Sequence, residues 1–165
     1  MTELTQARLK ELLHYNPDTG LFTWLIRPAN RVRIGDIAGT LSSWGYICIV
    51  IQGQSYRAHR LAWLFTYGAW PLDQIDHINR VKDDNRLANL REATHSQNNT
   101  NSVAQKNNLS GKKGVSRAKD RSKWSATISI NGKTKRLGQF TCKQEAHAAY
   151  CKAADKHYKE FANHG

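Results

Sequence analysis

The stretch Gln74–Asn101, QIDHINRVKDDNRLANLREATHSQNNTN, holds four side chains whose types can cooperate on a phosphate ester: Asp76, His77, Asn89 and Asn98. Asp76 and Asn98 offer hard oxygen donors, which suit Mg²⁺ or Mn²⁺ better than zinc. Two protein ligands leave coordination positions for water and a phosphate oxygen, and a cation held there stabilises developing charge and the leaving oxygen. His77 titrates near neutrality, so as a neutral ring it can take a proton from an attacking water. The ring then donates at its other nitrogen, and the Asn89 amide or a backbone carbonyl can receive that proton.

Such residues act together only if the chain folds them together. The spacing predicts a strand over Ile75–Ile78, a polar turn region over Lys82–Asn89 and a short return strand at Leu90-Arg91. Thr94-x-x-Gln97 is a capping box, which starts a helix with Asn98 just beyond its first turn. A strand–loop–strand–helix unit of this kind can bring Asp76 and Asn98 to one pocket with His77 beside them. Upstream, Leu9, Leu12 and Leu13 predict a helix over Leu4–His14, stopped by the turn formers Asn16-Pro17-Asp18-Thr19-Gly20. Leu21–Leu25 reads as a short strand, Arg27–Ile34 as a basic irregular segment and Tyr46–Ile51 as a buried strand. Tyr56–Tyr67, closed by Gly68, reads as a buried helix. The aromatic residues of this region are expected to be core material. Arg27, Arg31 and Arg33 fit a solvated loop as well as phosphate contacts.

The C-terminal third has its own pattern. Trp124–Ile130 alternates, with Trp124, Ala126, Ile128 and Ile130 on one face and Ser125, Thr127 and Ser129 on the other. Asn131-Gly132 is a hairpin signal, Lys133–Phe140 is the return strand, and Gly111–Arg117 can add a third. A helix follows from about Lys143, with Ala146, Ala149, Tyr150, Ala153, Ala154 and His157 as its inner stripe. The polar sheet face is expected to be ringed by Arg117, Lys119, Arg121, Lys123 and Arg136, and a ribbon of this size fits the DNA major groove.

Charge follows the same division. Of the net +12 on 165 residues, residues 1–100 carry +2 and residues 101–165 carry +10. A polyanion, with nucleic acid first, is the partner this implies. The chain contains no run of apolar residues long enough for a membrane span, and its charged N-terminus does not read as a signal peptide. Cys48, Cys142 and Cys151 form no C-x-x-C pair, so a reducing cytoplasm is expected. The Asn-rich stretch Asn98–Lys113 reads as a linker. The expected organisation is therefore residues 1–102, with the motif at 74–101, a linker at 103–112, and a basic domain at 113–165.

The residues DHIN at 76–79, NRLANLR at 85–91 and THSQNNTN at 94–101 resemble the HNH (ββα-metal) nuclease motif of phage-borne and intron-encoded homing endonucleases. The likeness extends upstream through YRAHRLAW at 56–63 and Trp70-Pro71. It implies Asp76 and Asn98 as metal ligands, one metal ion per site, His77 as general base and Asn89 as the residue that orients it. Where this chain has Arg80, the family often has glycine. Asn98 replaces the histidine of other branches. KGVSR at 113–117, KWSATI at 123–128, RLGQFTCKQEAHAAY at 136–150 and FAN at 161–163 resemble the APETALA/ethylene-response-type DNA-binding domain. That likeness implies contacts to double-stranded DNA from Arg117, Lys119, Arg121, Lys123, Trp124 and Arg136.

The fold class expected is α+β: an N-terminal ββα-metal region, then a three-stranded antiparallel sheet packed on one helix. The function expected is a metal-dependent DNA endonuclease, homing-type and nicking as a monomer, with a homodimer if it makes double-strand breaks. The alternative is a non-catalytic DNA-binding or regulatory protein that retains a nuclease fold.

Overall fold

The structure is a computed structural model and describes residues 3–102, 104, 108–119, 122–130 and 132–165. Arg121, Asn131 and linker residues 103 and 105–107 lie outside the described residues. The chain is a mixed α+β structure with several small antiparallel sheets. It divides into two compact units, one ending at Ala93 and one beginning at Thr94.

The first unit opens with helix α1 (Gln6–Leu12), capped by the Thr5 hydroxyl, which accepts from the Arg8 N–H. The helix ends sooner than the leucine spacing suggests. Leu13–Tyr15 is strand β1, paired with β2 (Phe22–Trp24) across the Asn16–Gly20 turn. This is a correction to the helix expected through His14. Leu13 and Tyr15 are buried and His14 is exposed, a strand alternation that the helical pattern concealed.

A second sheet has the order β3 (Thr40–Leu41), β4 (Ile47–Ile51), β5 (Gln54–Arg57), all antiparallel. Tyr56 and Arg57 belong to β5, and helix α2 (Ala58–Tyr67) starts after them. It ends at Gly68, whose positive φ of 81° and N–H bond to the Leu64 carbonyl make a left-handed cap. Leu61 and Leu64 of α2 pack with Leu9, Leu13, Phe22 and Ile49 in the core of this unit. The third sheet is a hairpin of β6 (Gln74–His77) and β7 (Leu90–Ala93), with a 3₁₀ turn at Leu87–Asn89 before the return strand.

The second unit contains α3 (His95–Asn101), a sheet of β8 (Val115–Arg117), β9 (Trp124–Ile130) and β10 (Lys133–Phe140), and α4 (Lys143–Tyr158). The compact units divide before the boundary expected from composition, because α3 belongs with the second unit: the Thr100 hydroxyl bonds the Phe161 carbonyl, and Asn163 donates to the carbonyl of Asn101. Strand order is β10–β9–β8, antiparallel throughout. Ala146, Tyr150 and Ala154 of α4 are buried against Val115, Ala126 and Ile128. His157, expected on the inner stripe, is exposed. Tyr158 packs there instead, and its hydroxyl donates to the Ser129 carbonyl. Gly114 sits at φ +70°, and a β-carbon there would meet the Tyr150 ring at 2.0 Å, so the turn into β8 admits only glycine. Among the described residues, no helix is long and apolar enough to cross a membrane, and all three cysteines are free thiols.

Candidate active site

The β6–β7 hairpin holds most of the candidate residues. Asp76 and His77 end β6 and are 4% and 5% exposed, unusual burial for two polar side chains in sequence. The register places Arg91 of β7 directly opposite Asp76, so the two side chains share a face of the ladder. The Arg91 guanidinium donates to Asp76 Oδ2 from Nε at 2.9 Å and from Nη2 at 2.7 Å. Both contacts fall on one oxygen of a buried carboxylate, a hard donor of the kind that a divalent cation such as Mg²⁺ prefers.

His77 faces a different set of neighbours. Its Nε2 lies 3.4 Å from Asn85 Oδ1, a long contact, while Asn85 Nδ2 donates to the Asp83 carbonyl at 3.2 Å. On its other side the His59 ring of α2 stands edge-on, with centroids 4.9 Å apart and planes at 87°. Tyr46 tilts against both imidazoles, 5.3 Å from His59 and 6.1 Å from His77. Burial lowers the pKa of His77 below the ordinary imidazole value, opposed by its contact with Asn85 and by the charge of Asp76. His59 is 4% exposed, and burial, with the charges of His77, Arg57 and Arg60 behind it, pushes its pKa down to about 3. Both rings are held neutral at physiological pH, and among the described residues His59 Nδ1 is buried with no hydrogen-bond partner.

Asn89 is buried nearby, but its amide serves the loop rather than the ring. Its Oδ1 accepts from the Asn79 N–H at 2.9 Å, and its Nδ2 donates to the Asp84 carbonyl at 2.8 Å. The Asn79 amide and Arg86 both bond the Asp84 carboxylate, and Arg86 above all holds that carboxyl well below the usual range. The turn from His77 closes through the Arg80 N–H to the His77 carbonyl, with Arg80 at φ 67°. The backbone thus takes the glycine-like conformation with an arginine in place. A second brace comes from the N-terminus. The Tyr15 hydroxyl donates to the Asn85 carbonyl at 2.7 Å, the Leu87 N–H donates to the Pro17 carbonyl at 2.9 Å, and a β-carbon on Gly20 would sit 2.4 Å from Arg86 N.

Of the residues expected from the motif, the structure gathers Asp76, His77 and Asn89 around one hairpin. Asn98 lies on α3 in the second unit and is described apart from them. Its helix begins as expected, with both halves of the Thr94–Gln97 capping box formed. Among the described residues, no cluster of three or more His, Cys, Asp or Glu side chains is gathered to hold a metal. The oxygen set read from the motif is smaller, one carboxylate and one amide. Sequence reasoning missed Arg91, Asn85 and the contact of His59 with His77. Arg91 was findable, since a hairpin closing after Asn89 sets it across from Asp76.

In the second unit, Arg117, Lys119, Lys123 and Arg136 are all exposed, and Trp124 is half-buried. The faces differ from expectation. Arg117 pairs with Trp124, so it shares the face of Ala126 and Ile128, and its guanidinium lies 3.9 Å over the Trp124 ring. Arg136 pairs with Thr127 and stands on the opposite, polar face. The two-residue period of the strands separates cations that a composition count groups together.

Residues 56–100 match the HNH endonuclease family model, a segment that runs from Tyr56 in β5 to Thr100 in α3. The chain is also similar to Protein 3.8 of Escherichia phage T7, with 37% identity over 78 residues. That alignment covers 47% of this chain and 64% of the relative, less than two thirds of its length. No solved structure matches the chain. The family match ends at residue 100, before the three-stranded sheet.

Proposed function

We propose that this protein is a metal-dependent DNA endonuclease of homing type that hydrolyses one phosphodiester strand per encounter, with His77 as general base. The observation that carries this reading is the buried Asp76–His77 pair at the end of β6, a carboxylate held by Arg91 beside an imidazole whose pKa burial lowers. The HNH match over residues 56–100 supports it. Asn85 Nδ2 is engaged with the Asp83 carbonyl, so its oxygen faces the ring. That contact is served by the tautomer with the proton on Nε2, which makes Nδ1 the nitrogen that accepts the water's proton. Asn89 acts through the loop that holds His77, and His59 limits how the His77 ring can turn.

The donors fit Mg²⁺ or Mn²⁺: the Asp76 carboxylate, with the Asn98 amide assigned by the motif as the second ligand. Such an ion, when bound, neutralises charge on the scissile phosphate and its leaving oxygen. The second unit is proposed as the DNA tether of APETALA/ethylene-response type, supported by its three-stranded sheet on one helix and by the exposed Arg136 on the polar face. A double-strand break then requires a second copy or a second encounter.

The test is incubation of supercoiled plasmid and candidate target DNA with wild type, His77→Ala and Asn98→Ala, each with Mg²⁺, Mn²⁺ or chelator. Nicked circles are expected from wild type with metal, and none from His77→Ala. If no protein cuts with any divalent metal, the enzyme reading fails and a DNA-binding protein with a nuclease fold remains.

A further inference from the structure

The endonuclease reading assigns residues to the chemistry and a tether to the second unit, but it leaves unexplained an exposed aromatic side chain two residues before Tyr46, the ring that packs against His77. Trp44 occupies the tip of the β3–β4 hairpin and is 76% exposed, whereas the chain's other four tryptophans are buried or half-buried. The tip itself is closed. The Ser42 N–H bonds the Tyr46 carbonyl, the Gly45 N–H bonds the Ser42 carbonyl, and the Tyr46 N–H bonds the Ser42 hydroxyl. An indole is therefore presented to solvent from a fixed backbone.

Two cations gather at the neighbouring Tyr46 ring. Lys82, from the loop that follows His77, donates from Nζ to the Trp44 carbonyl at 3.1 Å and lies 4.9 Å over the Tyr46 ring. The Arg57 guanidinium lies 4.6 Å from the same ring. Both cationic side chains are exposed, and Tyr46 packs in turn against His59 and His77. Aromatic rings interleaved with cations beside a catalytic group are the components of nucleic-acid engagement: stacking needs a ring with an open face, and phosphates need nearby positive charge. The acidic Asp83 is exposed in the same loop, while Asp84 is paired with Arg86.

Resting on the endonuclease reading, we propose that Trp44, Arg57 and Lys82 form a DNA-contact edge of the first unit, with double-stranded DNA as the partner. Trp44 packs on the sugar and base edge of a nucleotide near the scissile phosphate, and Arg57 and Lys82 take flanking phosphates. The edge positions the strand over His77, a task distinct from the charge-driven tethering by the second unit. The net charge of only +2 over residues 1–100 hides it, because Arg57 and Lys82 are concentrated at one place.

The test uses the full chain with chelator, so that binding is read without cutting. Anisotropy with a fluorescein-labelled random-sequence duplex should show about tenfold weaker binding for Trp44→Ala, a loss of about 1.4 kcal/mol, and near-wild-type binding for Trp44→Phe, whose ring can pack on the same sugar and base edge. Lys82→Ala should lower the slope of log K against log salt by about 1. Tryptophan fluorescence quenching by DNA should lose amplitude in Trp44→Phe. If wild type binds, but Trp44→Ala keeps its affinity and Trp44→Phe keeps the full quenching amplitude, this proposal is overturned and the nuclease reading stands. If Trp44→Ala weakens binding while no variant nicks DNA with metal, the contact edge stands and the nuclease reading fails. If wild type binds no duplex, both fall.

Discussion

Replacing Arg91 with methionine would test the site's central electrostatic arrangement. Arg91 and Asp76 are an ion pair with side chains 16% and 5% exposed, and two guanidinium N–H groups converge on Oδ2. Methionine keeps much of the apolar stem and removes both donors. Removing one partner of a buried pair costs about 3–5 kcal/mol, because the remaining charge stays desolvated. The partial exposure of Arg91 places the expected value near the lower end, about 3 kcal/mol. For a unit of this size that lowers the melting midpoint by about 12 °C or more. A divalent cation restores positive charge beside the carboxylate, so Mg²⁺ should raise the midpoint of Arg91→Met more than that of wild type. At about a hundredfold excess over Kd the gain is about 2.7 kcal/mol. Differential scanning calorimetry with Mg²⁺ or chelator, with Asp76→Asn/Arg91→Met as the neutralised control, reads this directly. The double variant should be more stable than Arg91→Met without metal and gain nothing from Mg²⁺. A midpoint for Arg91→Met within a degree or two of wild type, or equal Mg²⁺ shifts in both proteins, would refute the reasoning.

Three other outcomes follow from the geometry. Since the folded-state pKa of His59 is depressed to about 3, the unfolded chain takes up its proton first as pH falls, and stability present above pH 6.5 is lost between that value and about 3. Urea midpoints should show a loss of about 2 kcal/mol by pH 5, with His77 adding in the same direction, and His59→Phe should flatten that acid limb. Gly20→Ala should destabilise by about 3 kcal/mol and depress nicking, because left-handed strain adds to a clash with the Asn85–Arg86 backbone. Gly35→Ala, at φ +88° with nothing within 4 Å, should cost only the strain, about 1–2 kcal/mol by chemical denaturation. In the second unit, Arg136→Ala should reduce the salt slope of DNA binding by about 1, whereas Lys152→Ala on the exposed side of α4 should leave it unchanged.

Local pattern carried much of the fold. The alternation in Trp124–Ile130 is β9 as read, Gly68 ends α2, and the Thr94–Gln97 box starts α3. What escaped depends on partners distant in sequence. Leu13–Tyr15 follows a helical leucine spacing, yet becomes a strand because Phe22–Trp24 returns beside it. His157 and Tyr158 are neighbours, and the end of α4 decides which turns inward. In the site, Asp76, His77 and Asn89 were legible because their types are chemically restrictive. Asn85 was not, since an asparagine in a polar loop resembles any other until its burial is known. The placement of Arg117 on the Trp124 face required the β8–β9 register, which composition does not contain.

The brace from Tyr15 and Pro17 bears on how such a site can travel between proteins. The family match begins at Tyr56, so a graft cut to that segment would carry Asp76, His77, Asn85 and Asn89 complete. It would leave behind the hydroxyl that holds the Asn85 carbonyl and the carbonyl that holds the Leu87 amide. Every host receiving the motif must therefore supply a substitute floor for that loop. Recombination that preserves the signature alone would lose both contacts and loosen the loop beside His77.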